Sequence, residues 1–407
     1  MKVEYRKPRT VLVNLALVAI STVVTILGAD LVLRLFADKL LYYRPHEMFI
    51  ERCPELPLVS RYKKNVDYSG ETYGDLAAMI GDEHLREKRP IVFKTDSFGF
   101  RNSEEIRDHD AYDLIVLGDS FGVGNGTMQD RTWAALLQGH YGIKTYNLSI
   151  PGSPWQSYVH LATEIKRLPV HPKTIVLLAL FSGNDLDERY YSADIEDLPW
   201  SSTGKTLLVR ISTFVRRSPI RQFVRRLRHR SVEHVLVKDF VDGRKILFYP
   251  PYVNAKNRSE AMTLDHPNYN ELVHVIREID RMAGEHHATL VILLLPSKEE
   301  VYEWVVEGYP PWTASTKPSG FGVALDNFCR QSNLSFFDLK PSLMEAAKKE
   351  FEESGGLIYW TDDTHWNEKG HGIVAKIVYR AIFTSSSRAP NKGMHADGGS
   401  AALYPRR

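Results

Sequence analysis

Hydrophobic positions along the chain fall into three patterns. From Val11 to Ala29, nineteen consecutive residues carry no charge. At about 1.5 Å rise per residue that run suffices to cross a bilayer core of about 30 Å. A second pattern is short and unbroken: Leu114-Ile115-Val116-Leu117, and again Thr289 to Leu295, show no polar alternation, as central parallel strands covered on both faces require. The third has helical spacing. Tyr269, Leu272, Val273, Ile276, Ile279 and Met282 form one apolar stripe, and Ile373, Val374, Ile377, Val378 and Ile382 another. Strands are therefore expected at 113–117, 144–148, 174–181 and 289–295 and at Phe336-Phe337-Asp338. Between them, helices are expected at about 129–139, 155–168, 269–282 and 368–383. This alternation predicts an α/β protein with a parallel, doubly wound sheet over residues 111–383.

The remaining stretches modify that plan. Lys2, Arg6, Lys7 and Arg9 precede the long apolar run, so the positive-inside rule leaves residues 1–10 in the cytoplasm and exports everything beyond a transmembrane anchor at 11–36. The address that follows is single-pass in the cytoplasmic (inner) membrane, with the α/β domain outside the cytoplasm. A cleaved signal peptide is the rival, but the run exceeds the usual length of its apolar region and continues past Asp30 into Leu31-Val32-Leu33. Residues 38–110 read as a lead-in subdomain that packs against the sheet, with Ile91 to Phe100 as a hairpin or edge element. Residues 188–266 interrupt the strand–helix rhythm and read as an insertion. Within it Arg216 to Arg230 holds seven arginines and no acid, a basic amphipathic helix suited to solvent, to anionic lipid or to an acidic polymer. Nucleic acid is not expected as a partner, because this segment faces away from the cytoplasm. Residues 384–407 have the composition of a disordered tail.

A net charge of +2 argues against global binding of polyanions. The two cysteines, Cys53 and Cys329, lack metal-site spacing and are too few for a disulfide scaffold. They either pair outside the cytoplasm or remain buried thiols. No metal and no cofactor is expected.

Candidate chemistry begins where Gly118 ends the first strand and Ser120 follows at its carboxyl end. In open α/β sheets the crevice beyond those ends takes ligands, which makes Ser120 a candidate nucleophile rather than only a helix-capping turn serine. Gly122, Gly124 and Gly126 suggest a nucleotide loop, but no Gly-Lys-Ser/Thr follows, and the next strand ends in Ser149-Ile150-Pro151-Gly152 instead of an acid. Acyl transfer from a serine needs a base, a group that orients the base, and donors for the oxyanion. His365 is the candidate base, with Asp362 and Asp363 within three residues to hold its tautomer.

Together these blocks resemble the SGNH (GDSL-like) hydrolase superfamily. Gly118-Asp119-Ser120 is similar to the first block, Gly152 to the glycine of the second, Asn184 in Ser182-Gly183-Asn184-Asp185 to the asparagine of the third, and the aspartate pair with His365 to the last. The resemblance implies a three-layer α/β/α sandwich with a flavodoxin-like parallel sheet, catalysis by Ser120 and His365, and an oxyanion hole from the Ser120 and Gly152 backbone N–H groups and the Asn184 side chain. Three departures stand out. Ser182 replaces the usual glycine, Phe121 follows the nucleophile where leucine is common, and the acid is doubled. The superfamily's common spacing selects Asp362. A His-Trp branch similar to exported polysaccharide O-acetyltransferases, such as those of alginate, selects Asp363, which is the expectation adopted here. That branch further implies an acylated carbohydrate or other ester as substrate and an acyl-donor membrane protein as partner. A non-catalytic assembly protein on the same fold is the alternative from another class.

Overall fold

The computed structural model describes residues 8–35, 44–53, 56, 58–103, 110–191, 218–221, 235–313 and 317–384. Five parallel strands form the central sheet: β1 (Leu114–Leu117), β2 (Thr145–Asn147), β3 (Ile175–Phe181), β4 (Thr289–Leu295) and β5 (Ser335–Asp338), in the spatial order β5-β4-β3-β1-β2. The chain therefore reverses direction across the sheet between β1 and β3, and a doubly wound sheet opens its ligand crevice at such a switch point.

Side-chain alternation along the strands feeds two apolar cores. Ile115, Leu117, Val176, Leu178, Leu180, Ile292 and Leu294 point to one face, where α3 (Pro154–Glu164), α4 (Tyr269–Glu285) and α5 (Gly320–Ser332) cover them. Leu114, Val116, Leu177, Ala179, Leu293 and Leu295 point to the other, under α2 (Trp133–Tyr141), α6 (Lys340–Ser354) and α7 (Glu368–Val378). Burial on both faces is why these runs carry no polar alternation. The fold is thus the α/β/α arrangement the pattern predicts.

Element boundaries differ in detail from the expected ones. The helix expected from 129 begins at Trp133, because Thr132 is its cap and accepts the Ala135 N–H at 3.2 Å. The helix expected to reach 168 ends at Glu164 and tightens into a single 3₁₀ turn, Ile165–Arg167. Past Val378, α7 widens into a π-helical turn, Tyr379–Thr384.

Among the described residues one helix, Val13–Arg34, is long and apolar enough to cross a membrane, with mean hydropathy 2.2. It belongs to α1 (Pro8–Arg34), and the apolar side chains described along it are exposed. Near its end Asp30 pairs with Arg34 at 2.8 Å and accepts hydrogen bonds from Ser218 Oγ and, at 3.4 Å, from the Ile220 N–H. A piece of the insertion is thereby tied to the helix. Most of the basic 216–230 stretch, residues 1–7 and the 385–407 tail lie outside the described residues. Cys53 and Cys329 are both buried and are not joined by a disulfide.

The lead-in does more than the packing role expected of it. Its strand Arg89–Lys94 pairs antiparallel with Asp67–Thr72, and Tyr62, Phe93 and Phe100 enter the main core. Four of its charged residues, Arg44, Asp75, Arg89 and Arg101, continue past that core to the carboxyl edge of the sheet.

Candidate active site

Ser120 opens a one-turn helix, Ser120–Val123, directly after β1. Asp119 caps the turn by accepting the Phe121 N–H at 2.8 Å, which leaves the serine hydroxyl at the half-buried lip of the sheet. The turn that follows is held from the lead-in. Arg101 donates to the carbonyls of Val123 (3.1 Å), Gly124 (2.6 Å) and Thr127 (2.7 Å). Arg101 is buried, and burial lowers its pKa to about 10.

His365 lies on the loop between the bridge residue Tyr359 and α7. Its Nε2 is 2.7 Å from Ser120 Oγ, and its Nδ1 is 2.8 Å from Asp363 Oδ1. Phe121 lies under the imidazole with ring centroids 4.6 Å apart and stacks on Phe181 at 4.3 Å. The aromatic residue after Ser120 thus forms a floor for the histidine.

The two aspartates have separate partners. Asp363 Oδ1 takes His365 Nδ1, the His365 backbone N–H at 3.0 Å and Arg44 Nη2 at 2.5 Å, while Oδ2 takes Arg89 Nη2 at 2.9 Å. Burial pushes this carboxyl up, but Arg44, His365 and Arg89 outweigh burial and hold it well below the usual carboxylate range. Asp362 faces away from His365. It is nonetheless fully buried. Its Oδ1 accepts from Arg89 Nη1 at 2.9 Å and its Oδ2 from the N–H groups of Gly74 (2.6 Å) and Glu87 (2.9 Å). Burial raises its pKa to about 6 against the pull of Arg89. Residues 361–365 run through a turn and bend, in which Asp363 meets the histidine and Asp362 clips the lead-in to the loop. Gly74 makes that clip possible, because a Cβ there would lie 1.8 Å from the Asp362 carbonyl oxygen.

The candidate oxyanion donors lie on three adjacent strand ends. Ser120 follows β1, Gly152 follows β2 on one side, and Asn184 follows β3 on the other. All three residues are half-buried. Gly152 has φ +140°, a backbone conformation that favours glycine. Asn184 Nδ2 donates to Glu188 Oε1 at 3.1 Å, which orients the amide. The Ser182 departure is also accounted for. Its hydroxyl donates to Glu300 and accepts the Ser297 N–H at 3.2 Å, joining the end of β3 to the capping box that follows β4.

Motif reading misses five residues. Arg44, Asp75, Arg89 and Arg101 come from the lead-in, where no spacing ties them to the sheet. The fifth, Lys298, is fully buried. It donates from Nζ to the backbone carbonyls of Asp363 (2.6 Å), Trp360 (3.2 Å) and Thr361 (3.4 Å). A basic residue directly after a buried strand and Pro-Ser is the one local signal for it. Asp75, Asp363 and His365 offer ligand atoms within 4.8 Å of one another, a spacing that suits a cation. Arg44 Nη2 already fills that centre, at 2.5, 3.3 and 2.9 Å from Asp363, Asp75 and His365. The cluster is therefore an ion-pair network.

The doubly wound sheet and its strand-end serine place the protein in the class of α/β ester hydrolases. A family model described as GDSL-like Lipase/Acylhydrolase matches residues 114–378, and the chain belongs to that family. It is an acyl hydrolase of the SGNH type. Among solved structures, the crystal structure of the YXIM protein from Bacillus subtilis is similar at 10% identity over 80% of this chain and 76% of that one, with a TM-score of 0.37. No curated protein sequence matches it.

Proposed function

We propose that the protein is a membrane-anchored serine esterase or O-acyltransferase that handles acyl esters, acetyl above all, of a cell-surface carbohydrate. The observation that carries the reaction is the chain of contacts from Ser120 Oγ to His365 Nε2 (2.7 Å) and from His365 Nδ1 to Asp363 Oδ1 (2.8 Å). Ser120 Oγ attacks the ester carbonyl carbon as its proton passes to His365 Nε2. The imidazolium that forms is stabilised by Asp363, and the oxyanion by the Ser120 and Gly152 N–H groups and Asn184 Nδ2. His365 returns the proton to the leaving alcohol, which leaves an acyl-serine. Water or a sugar hydroxyl then attacks that intermediate, with His365 again as base. The carbohydrate assignment draws on the resemblance to exported polysaccharide O-acetyltransferases and on the apolar helix Val13–Arg34 as an anchor.

The test mixes the purified protein with a chromogenic acetyl ester, with and without oligosaccharide, and maps a fluorophosphonate label. Labelling at Ser120 and acetylated sugar in the mass spectrum establish transfer, whereas acetate alone establishes an esterase. Ser120→Ala should abolish both labelling and turnover. If the wild-type protein takes no label and turns over no ester, the non-catalytic assembly reading replaces this one.

A further inference from the structure

We propose that Arg44 is a positioning residue of this site, setting both the geometry and the charge of the Asp363–His365 pair, so that the segment following the apolar helix is a working part of the reaction. The proposal rests on the triad reading above. A guanidinium that served only to pack the lead-in would need one carboxylate. Arg44 instead places a single nitrogen, Nη2, against Asp363 Oδ1 (2.5 Å), His365 Nδ1 (2.9 Å) and Asp75 Oδ2 (3.3 Å), with Nη1 3.6 Å from Glu47. Its side chain is 5% exposed, so the contact is made out of water, where charges are felt strongly.

Two consequences follow. The first concerns geometry. With Arg44 on Oδ1 and Arg89 on Oδ2, neither carboxylate oxygen of Asp363 is free to swing away from the imidazole as a proton arrives at Nε2.

The second concerns charge. In the simplest triad the imidazolium faces one carboxylate. Here His365 Nδ1 faces two, Asp363 at 2.8 Å and Asp75 at 4.0 Å, and Asp75 is itself fixed by Thr364 through N–H (2.9 Å) and Oγ1 (2.7 Å). Arg44 lies between the two acids and Arg89 behind Asp363, so the cations offset the second carboxylate. Asp119 and Glu47 act on the imidazole from farther away. His371 on α7 also faces this network, but burial lowers its pKa to about 3, so it is neutral and adds no charge. Without the Arg44 charge the two acids facing the imidazole would be offset only by Arg89 and, from the backbone side, by Lys298, and the protonated imidazole would be favoured to higher pH. A base that is already protonated cannot accept the serine proton.

The experiment compares full-length wild type, Arg44→Gln, Arg44→Lys and Arg44→Gln/Asp75→Asn in detergent, following hydrolysis of p-nitrophenyl acetate from pH 5 to 9 together with Tm. Arg44→Gln should lower kcat by about tenfold or more with KM within about threefold, and move the acidic limb of kcat/KM up by roughly one pH unit. Adding Asp75→Asn should move the limb back, because it removes the excess negative charge. Arg44→Lys should keep the limb in place, since the charge remains, with kcat between the two. A limb that stays put in Arg44→Gln, whatever happens to Tm, makes Arg44 structural and overturns the proposal. If Arg44→Gln does not fold, Arg44→Lys decides: a limb within about 0.2 unit of wild type with kcat lowered at least threefold supports it, and an unchanged kcat overturns it. Wild-type protein that takes no fluorophosphonate at Ser120 overturns the triad reading and this proposal with it.

Discussion

Asp362 and Asp363 are adjacent, equally buried and both bound by Arg89, so nothing in their composition separates them. Their surroundings do. Asp363 touches the imidazole and is held ionised by the arginines around it, whereas Asp362 accepts backbone N–H groups of the lead-in and is pushed up to about 6 by burial. Asp363→Asn should therefore lower kcat on the order of 10³–10⁴-fold, the scale seen when a triad loses its orienting carboxylate. Asp362→Asn should leave kcat within about tenfold while lowering Tm, because it frees Gly74 and Glu87 from the loop. Kinetics and thermal melts of the two variants check this. A larger loss of kcat in Asp362→Asn would transfer the orienting role to Asp362.

At the level of elements, the short helix Lys298–Val301 does as much for the site as any strand. Three of its buried side chains reach other segments: Lys298 to the carbonyls of 360–363, Glu300 to Ser182, and Glu299 to the Tyr249 N–H at 2.7 Å. Burial raises Glu299 from 4.5 to about 7, with Lys298 opposing the rise. A carboxyl whose folded pKa is raised binds its proton more tightly in the folded chain. Its contribution to stability is present below pH 4.5 and is lost as pH rises through about 7. Glu299→Gln should flatten the decline of Tm across that window and stabilise the protein at pH 8 by about 1–3 kcal/mol. Calorimetry of wild type and variant from pH 4 to 8 tests this, and parallel Tm curves would contradict it.

For the whole molecule, the consequence of the Arg44 contact is spatial. Ten residues separate Arg34 at the end of α1 from Arg44 beside His365, and a chain of that length spans at most about 35 Å. If α1 crosses a bilayer, the reaction takes place within that distance of the membrane surface. A fluorescent reporter active only in the cytoplasm, fused after Phe383, should stay dark. Removing residues 8–36 should release a soluble protein that keeps its ester turnover within about threefold, because Arg44 and everything beyond it are retained. A bright reporter would reverse the topology.

Much of this protein was legible without coordinates. Unbroken apolar runs and helical stripes are local consequences of burial on two faces or one, so the sheet, its parallel sense and the helix positions could be read from the chain. Gly118-Asp119-Ser120 and Asp363-Thr364-His365 were legible too, because each places its chemistry within a few residues at a strand end or helix start. Lead-in residues Arg44, Asp75, Arg89 and Arg101 were not. They act on groups 22 to 321 positions away, and an isolated arginine or aspartate in a turn-rich stretch carries no periodicity to reveal its partner. Only tertiary structure could decide which aspartate faces the histidine, since that depends on how the turn at residues 361–365 is set against Gly74 and Arg89. The order of residues pointed to the candidate nucleophile Ser120, the candidate base His365 and the sheet that presents them. The packing of a distant segment decided the charge around that base, because electrostatic interaction follows distance through space rather than along the chain.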